Sequence, residues 1–420
     1  MQDDIAPRLV EMLRGAMAEL RIGRPDRLDS DVGPVISAEA REGIERHISV
    51  MRARGCTVHA ATLPEDSRHG TFVAPTLIEI DSLEALEREV FGPVLHVLRY
   101  RQDKLDSMVD AVNALGYALT FGIHSRIDET IARVGARISA GNVYVNRNII
   151  GAVVGVQPFG GMGLSGTGPK AGGPLYLYRL LQADAASSNP ALRALSVSSA
   201  CQAVASDAEQ RAKQPALQAL QCLVEALQSG ALSQLDVWQD RRDVAQALAA
   251  CQSYQQCSVL GVVFNLPGPT GETNRYQLLP RGVVWAAPQS ALGLLHQMAA
   301  ALASGNACQV TLPTVGSAAI SRLLAALPEP VSRFVQASQS EQLLDEQTWG
   351  ALLFEGDADE LQRLSQRVVQ RPGALVRLEN QTPAQLAAGV CYDLGALMHE
   401  QSISTNTAAA GGNAQLMTMG

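Results

Sequence analysis

The chain opens on an amphipathic pattern in which Ile5, Leu9, Met12, Leu13, Ala16 and Leu20 recur at helical spacing over residues 5 to 20. Asp3 or Asp4 stands where it can cap that helix, and Pro7 is tolerated in a first turn. The segment GRPDRLDSDVGPVIS then interrupts the period with two prolines and two glycines, which predicts an ordered loop. A second helix is expected over about Ala38 to Arg54. After it, CTVHAA, TFVAPTLIEI and GPVLHVLRY read as strands, divided by turns and a short helical piece over Leu83 to Arg88. LDSMVDAVNAL and DETIARVGARI read as helices, whereas LTFGIHS and GNVYVNRN read as strands. Such alternation predicts an α/β layer.

The pattern changes after Leu181. QADAASSNPALRALSVSSA is rich in alanine and serine and reads as a linker, which sets domains at 1–181 and 200–420 with 182–199 between them. From about Ala200 the alternation restarts with Ala- and Gln-rich helices, then the apolar runs SVLGVVFNL, RGVVWAAP, ACQVTLP and GALLFEG. Continuous apolar runs between helices predict a second α/β domain built on a parallel sheet. The closing SISTNTAAAGGNAQLMTMG is extended and glycine-broken, suited to an edge strand or a docked tail.

Composition narrows the class. A length of 420 residues suits two or three domains, and 18% charged with 47% apolar residues marks a globular chain. Formal charge is −8, with no basic run or aromatic-interleaved basic patch, which argues against nucleic acid as the main partner. Seven cysteines form no C-x-x-C pair and no zinc-like spacing with histidine, so no metal site is expected and the thiols suit a reducing cytoplasm. The acidic, amphipathic start does not read as a signal peptide, and no apolar run approaches a spanning helix. The seven histidines stand apart in sequence with no nearby serine–acid constellation, which favours structural roles.

One stretch, QPFGGMGLSGTGPKAGGP, invites a phosphate reading, because Gly161, Gly163 and Gly166 have the G-x-G-x-x-G spacing and Lys170 follows. A dinucleotide fingerprint needs a strand before it and a helix directly after it. Gly168, Pro169, Gly172, Gly173 and Pro174 forbid that helix, and Pro169 spoils a Walker loop. A sharply bent loop packed close to backbone fits better. Just upstream, Gly151 and Ala152 are small enough to expose backbone N–H groups that bind a carboxylate without a charged side chain.

GPVIS, GTFVAPTLIEI, EVFGPVLHVLRY, VNALGYALTFGIHS and ISAGNVYVNRN resemble, in order and spacing, the C-terminal half of an aldehyde dehydrogenase catalytic region. NRNIIGAVVGVQPFGGMGLSGTGPKAGGPLY is similar to the L-glutamate-γ-semialdehyde (1-pyrroline-5-carboxylate) dehydrogenase module of the bifunctional proline utilization A family. STNTAAAGGNAQLMTMG resembles the end of that family's longer forms. The resemblance implies NAD-dependent oxidation of the semialdehyde to L-glutamate in proline catabolism. It implies Glu89 at the nicotinamide ribose hydroxyls, Phe91 beside the nicotinamide, Gly151 and Ala152 on the substrate α-carboxylate, and Phe159 against its aliphatic part. FAD is implied only if a proline dehydrogenase domain lies upstream in the parent chain, and the parent is expected to be a homo-oligomer.

The same resemblance puts the nucleophilic cysteine and the dinucleotide-binding half upstream of Met1, so no catalytic residue is expected here. The chain alone is therefore expected to be inactive, with the missing N-terminal portion of the same polypeptide as its partner. Cys56 in ARGCTVHAA reads as filling a helix-to-strand turn. The region around Arg281–Val284 resembles a second nucleotide-binding half, but Thr311 and Leu312 stand where a ribose-binding lysine is expected. Glu355 stands by the phosphate turn, and VRLEN runs on without a nucleophile. The fold expectation is thus an incomplete aldehyde dehydrogenase catalytic region followed by a degenerate Rossmann-like domain that braces, covers or assembles. The alternative is a non-catalytic scaffold, a pseudoenzyme that docks on a full-length partner.

Overall fold

The computed structural model describes residues 1–181, 189–197, 202–203, 213–238, 240–313, 317–338 and 348–408. Its contacts divide the chain into two compact units, Met1–Leu115 and Gly116–Gly420.

In the first unit, strands β1 (Thr57–Ala60), β2 (Thr76–Ile80) and β3 (Val94–Leu98) lie in that order, β1 antiparallel and β3 parallel to β2. Successive side chains of a strand point to opposite faces. Leu77 accordingly packs with Val10 of helix Ala6–Ala18 on one side, while Ile78 and Ile80 pack with Met51 of helix Ala38–Ala53 on the other. A central strand covered on both faces explains why TLIEI is almost wholly buried. Ser37 caps the second helix, its hydroxyl accepting from Ala40 N at 3.2 Å. Neither Asp3 nor Asp4 caps the first; Ile5 holds that position and Gln2 O accepts from Ala6 N at 3.1 Å. The helical piece expected to Arg88 is a single turn, Leu83–Ala85.

The second unit holds two larger sheets and a two-stranded pair, β4 (Tyr117–Ala118) with β7 (Met162–Gly163). The six-stranded sheet runs β5 (Thr120–Ile123), β6 (Asn142–Val145), β16 (Met398–Asn406), β10 (Glu272–Pro280), β9 (Val263–Leu266) and β8 (Gln202–Ala203). β16 is antiparallel to β10 from Glu272↔Asn406 to Pro280↔Met398, and parallel to β6 from Ser402↔Asn142 to Thr405↔Val145. Part of the closing stretch is therefore a central strand and not an edge, because both of its ladders are filled. Residues 409–420 lie outside the described residues.

The five-stranded sheet runs β13 (Val335–Ser338), β12 (Ala307–Thr311), β11 (Val283–Ala287), β14 (Ala351–Glu355) and β15 (Arg377–Gln381), all parallel. Relative to β11 this order is 3-2-1-4-5, that of a doubly wound nucleotide-binding half. Its first crossover helix, Ala291–Ala303, is buried along its whole length, as ALGLLHQMAAALA requires. The stretch read as a linker contains helix Pro190–Val197, whose Leu192 and Leu195 enter the same apolar core. The sequence division at 181 marks a change of pattern, whereas β6 and β16 carry one sheet across it.

Candidate functional site: an anchor turn and a filled crevice

β6 is buried at all four positions and is followed by Asn146, whose φ of 54° turns the chain out of the sheet. That turn is held by Asn146 in both directions: Oδ1 accepts from Ser125 N at 3.0 Å and Nδ2 donates to Ser125 O at 2.9 Å. The connection to β7 then carries Gly151, Ala152 and Phe159. Gly151 has φ of 78°, a region that costs a β-carbon strain. Gly151 and Ala152 are exposed, and neither N–H has a partner among the described residues. Neighbouring donors of this kind can receive a carboxylate. Phe159 is half-buried, and its backbone forms both bonds of a bridge with Ala171, at 3.0 and 2.8 Å.

The glycine-rich stretch after Phe159 pairs as β7 with Tyr117–Ala118, and the next helix begins only at Tyr176. A β-carbon on Gly161 would lie 2.6 Å from the Ser165 carbonyl oxygen, so the loop is folded tightly on itself. Lys170 is buried, its Nζ donating to Asn142 Oδ1 at 2.7 Å and to Gly160 O at 2.6 Å. Burial lowers its pKa from 10.5 to about 7, against the opposing pull of Glu400. The lysine that resembled a phosphate ligand is committed to holding the loop.

Glu89 and Phe91 lie in the first unit, in the irregular segment before β3. Phe91 is 80% exposed. Glu89 is exposed and has no side-chain partner among the described residues, so its carboxylate is free to accept from two hydroxyls. Cys56 follows helix Ala38–Ala53 and precedes β1, half-buried against Met51, Ile78 and Ile80.

The second nucleotide-like crevice is filled. In doubly wound sheets anions sit at the helix N-terminus where strand order reverses, here between β11 and β14. Glu355 ends β14 and points its carboxylate there, accepting from Gln289 N at 2.6 Å, Ser290 N at 2.9 Å and Ser290 Oγ at 2.7 Å. It is 1% exposed, and a β-carbon on Gly293 would overlap it. Beyond like-charge repulsion, the carboxylate takes the donors a phosphate would use. Thr311 is likewise occupied, its Oγ1 accepting from Trp285 Nε1 at 2.5 Å. A cavity of about 380 Å³ beside it is lined by Trp285, Thr311, Leu312, Phe354 and Arg363.

Two groupings escaped the sequence because neither forms a motif spacing in it. His47 Nε2 and His96 Nε2 are 2.8 Å apart, one ring donating to the other, and burial lowers both pKa values. Cys391 shares a cavity of about 590 Å³ with Glu379, Arg377 and Asp393. Burial pushes Glu379 up to about 7, although Arg377 Nε lies 2.7 Å away. A thiol thus stands in the same cavity as the acid of VRLEN, where no nucleophile was expected.

Comparison with known proteins adds a lineage to this geometry. Residues 1–186 match the model described as "Aldehyde dehydrogenase family". The chain is similar to the Escherichia coli (strain K12) "Bifunctional protein PutA", 46% identical over 426 residues, covering all of this chain and 30% of the relative. It is also similar to the "1-pyrroline-5-carboxylate dehydrogenase" of Bacillus subtilis (strain 168), 33% identical over 185 residues, 44% of this chain and 35% of the relative. Among solved structures, proline utilization A from Corynebacterium freiburgense matches 95% of this chain and 34% of its own, at 19% identity and a TM-score of 0.57, a likeness of fold. The chain thus spans about a third of the length of the relatives it matches. The matched segment contains both the Gly151–Ala152 turn and Glu89, and the filled crevice lies beyond it.

Proposed function

We propose that this chain is the substrate-anchoring C-terminal part of an NAD-dependent L-glutamate-γ-semialdehyde dehydrogenase, which oxidises the aldehyde to L-glutamate in proline catabolism. The observation that carries this reading is the pair of exposed N–H groups at Gly151 and Ala152, without partners among the described residues, in a chain similar over 185 residues to a 1-pyrroline-5-carboxylate dehydrogenase. Those groups hold the α-carboxylate of the substrate, and Phe159 packs against its methylenes. Glu89 accepts from the nicotinamide ribose hydroxyls, with Phe91 alongside the ring. NAD, when bound, supplies the hydride acceptor. The attacking thiolate comes from a portion of the polypeptide outside this sequence, as the one-third coverage of the relatives supports, and the isolated chain is inactive. FAD would belong to a proline dehydrogenase region elsewhere in the parent. The second half braces the first and takes no part in the chemistry; its filled crevice supports that role.

A titration with L-glutamate, the product carrying the same α-carboxylate, tests the anchor. In an amide-resolved ¹⁵N spectrum the Gly151 and Ala152 resonances should shift, while γ-aminobutyrate, which lacks that carboxylate, leaves them in place. Equal shifts with both compounds would remove the anchor assignment.

A further inference from the structure

We infer that Glu272, at the start of β10 in the second half of the chain, is a positioning residue for the Gly151–Ala152 turn. Its carboxylate reaches that turn along two arms. Glu272 Oε2 accepts from Arg147 Nη1 at 2.6 Å, and the Arg147 guanidinium lies over the Tyr144 ring, 4.9 Å from its centre. The Tyr144 hydroxyl donates to Gly151 O at 3.4 Å. On the other arm Glu272 Oε1 accepts from Gln157 Nε2, and Gln157 Oε1 accepts from Val153 N at 2.9 Å. One carboxylate thereby ties the carbonyl before Ala152 and the amide after it, leaving the Ala152 N–H between two fixed points and the Gly151 N–H one residue ahead of them.

The tie is protected. The Glu272 and Arg147 side chains are 13% and 16% exposed, which limits screening of the pair by water. β10 is locked by nine register positions to β16, and β16 pairs in turn with β6, from whose end the turn departs. Glu272 is set by the same sheet that launches the loop it holds. The loop has little else to order it: Ile150, Val153 and Val154 are 82%, 60% and 82% exposed. A turn without a buried apolar anchor takes its conformation from its polar ties.

This role rests on the anchoring function proposed above, so its test carries a readout independent of activity. Amide hydrogen exchange on the full chain should show the bonded amides of Val153, Val156 and Gln157 exchanging at least ~10-fold faster in Glu272→Ala, with β11 to β15 unchanged and partial recovery in Glu272→Gln. Gln157→Leu, which spares the Arg147 pair, should loosen Val153 and its neighbours alone and serves if Glu272→Ala fails to fold. Unchanged exchange at Val153, Val156 and Gln157, or acceleration spread equally over β11 to β15, would overturn the proposal. In a polypeptide that joins this chain to the upstream dehydrogenase half, Glu272→Ala should raise KM for the semialdehyde about 10-fold, leaving kcat and the NAD KM alone. An equal KM rise for propionaldehyde, which has no carboxylate, would also overturn it. Absence of dehydrogenase activity in every form would sink the anchoring function, while the exchange result still decides whether Glu272 sets the turn.

Discussion

Glu355 and Ser290 are joined twice, the carboxylate accepting from the Ser290 N–H at 2.9 Å and from its hydroxyl at 2.7 Å. A helix start that would receive a phosphate in a nucleotide-binding half is satisfied instead by a side chain of its own domain. Glu355→Ala should leave three part-buried donors without their acceptor and cost about 2–4 kcal/mol in urea unfolding. Residues 185–420 should show no saturable binding in an NAD titration, and a saturable site would refute the bracing role.

Lys170 should give a distinctive pH dependence. Its pKa in the folded chain is about 7 against an ordinary 10.5, so between those values the unfolded chain holds a proton that the folded chain has released. Stability should therefore rise with pH across that window, and the gain should be absent below it. Lys170→Met should lose this slope, leaving Gly160 O without its lysine donor and Asn142 Oδ1 with the Gly160 N–H alone. Melting temperatures of both proteins from pH 6 to about 10 are the check.

Burial gives His296 the same sign at lower pH. Its pKa falls from 6.5 to about 4, so acidification through that interval protonates the unfolded chain first and destabilises the fold. His296→Gln should flatten that part of the profile measured by thermal melting.

Leu77 lies at 0% exposure in the first unit, beside Val10 and Val97. Leu77→Ala should destabilise that unit by about 2–5 kcal/mol, through lost burial and the cavity left behind. Exchange protection should fall in β2 and β3, with β11 to β15 unaffected. An equal loss in both units would contradict the two-unit description.

Much of this was legible in the sequence. The helical period before Ala18, the apolar TLIEI strand and the parallel runs RGVVWAAP and GALLFEG each carried one dominant signal, and each formed the expected element. β16 was misread because its ladder partners lie more than a hundred residues upstream, and a polar SISTN strand shows no sign of being interior. The alanine- and serine-rich stretch hid a docked helix, since only Leu192 and Leu195 mark its buried face. Glycine and alanine at 151–152 indicated an exposed backbone, but the ties from Glu272 join residues with separations of 115 and 125, beyond any local pattern. Glu355 stands by the phosphate turn in the sequence, but its seat on the donors themselves is set by the pairing of β11 with β14.

The central claim is that this chain supplies the carboxylate anchor and the cofactor-facing carboxylate, while the attacking sulfur comes from elsewhere in a longer polypeptide. The most direct measurement is NADH formation from L-glutamate-γ-semialdehyde by the purified chain alone, and by the same chain joined to the upstream half of a related dehydrogenase. The account predicts no NADH from the first and turnover from the second, abolished in the second by mutating the upstream cysteine. NADH from the chain alone, lost on Cys391→Ser, would contradict it.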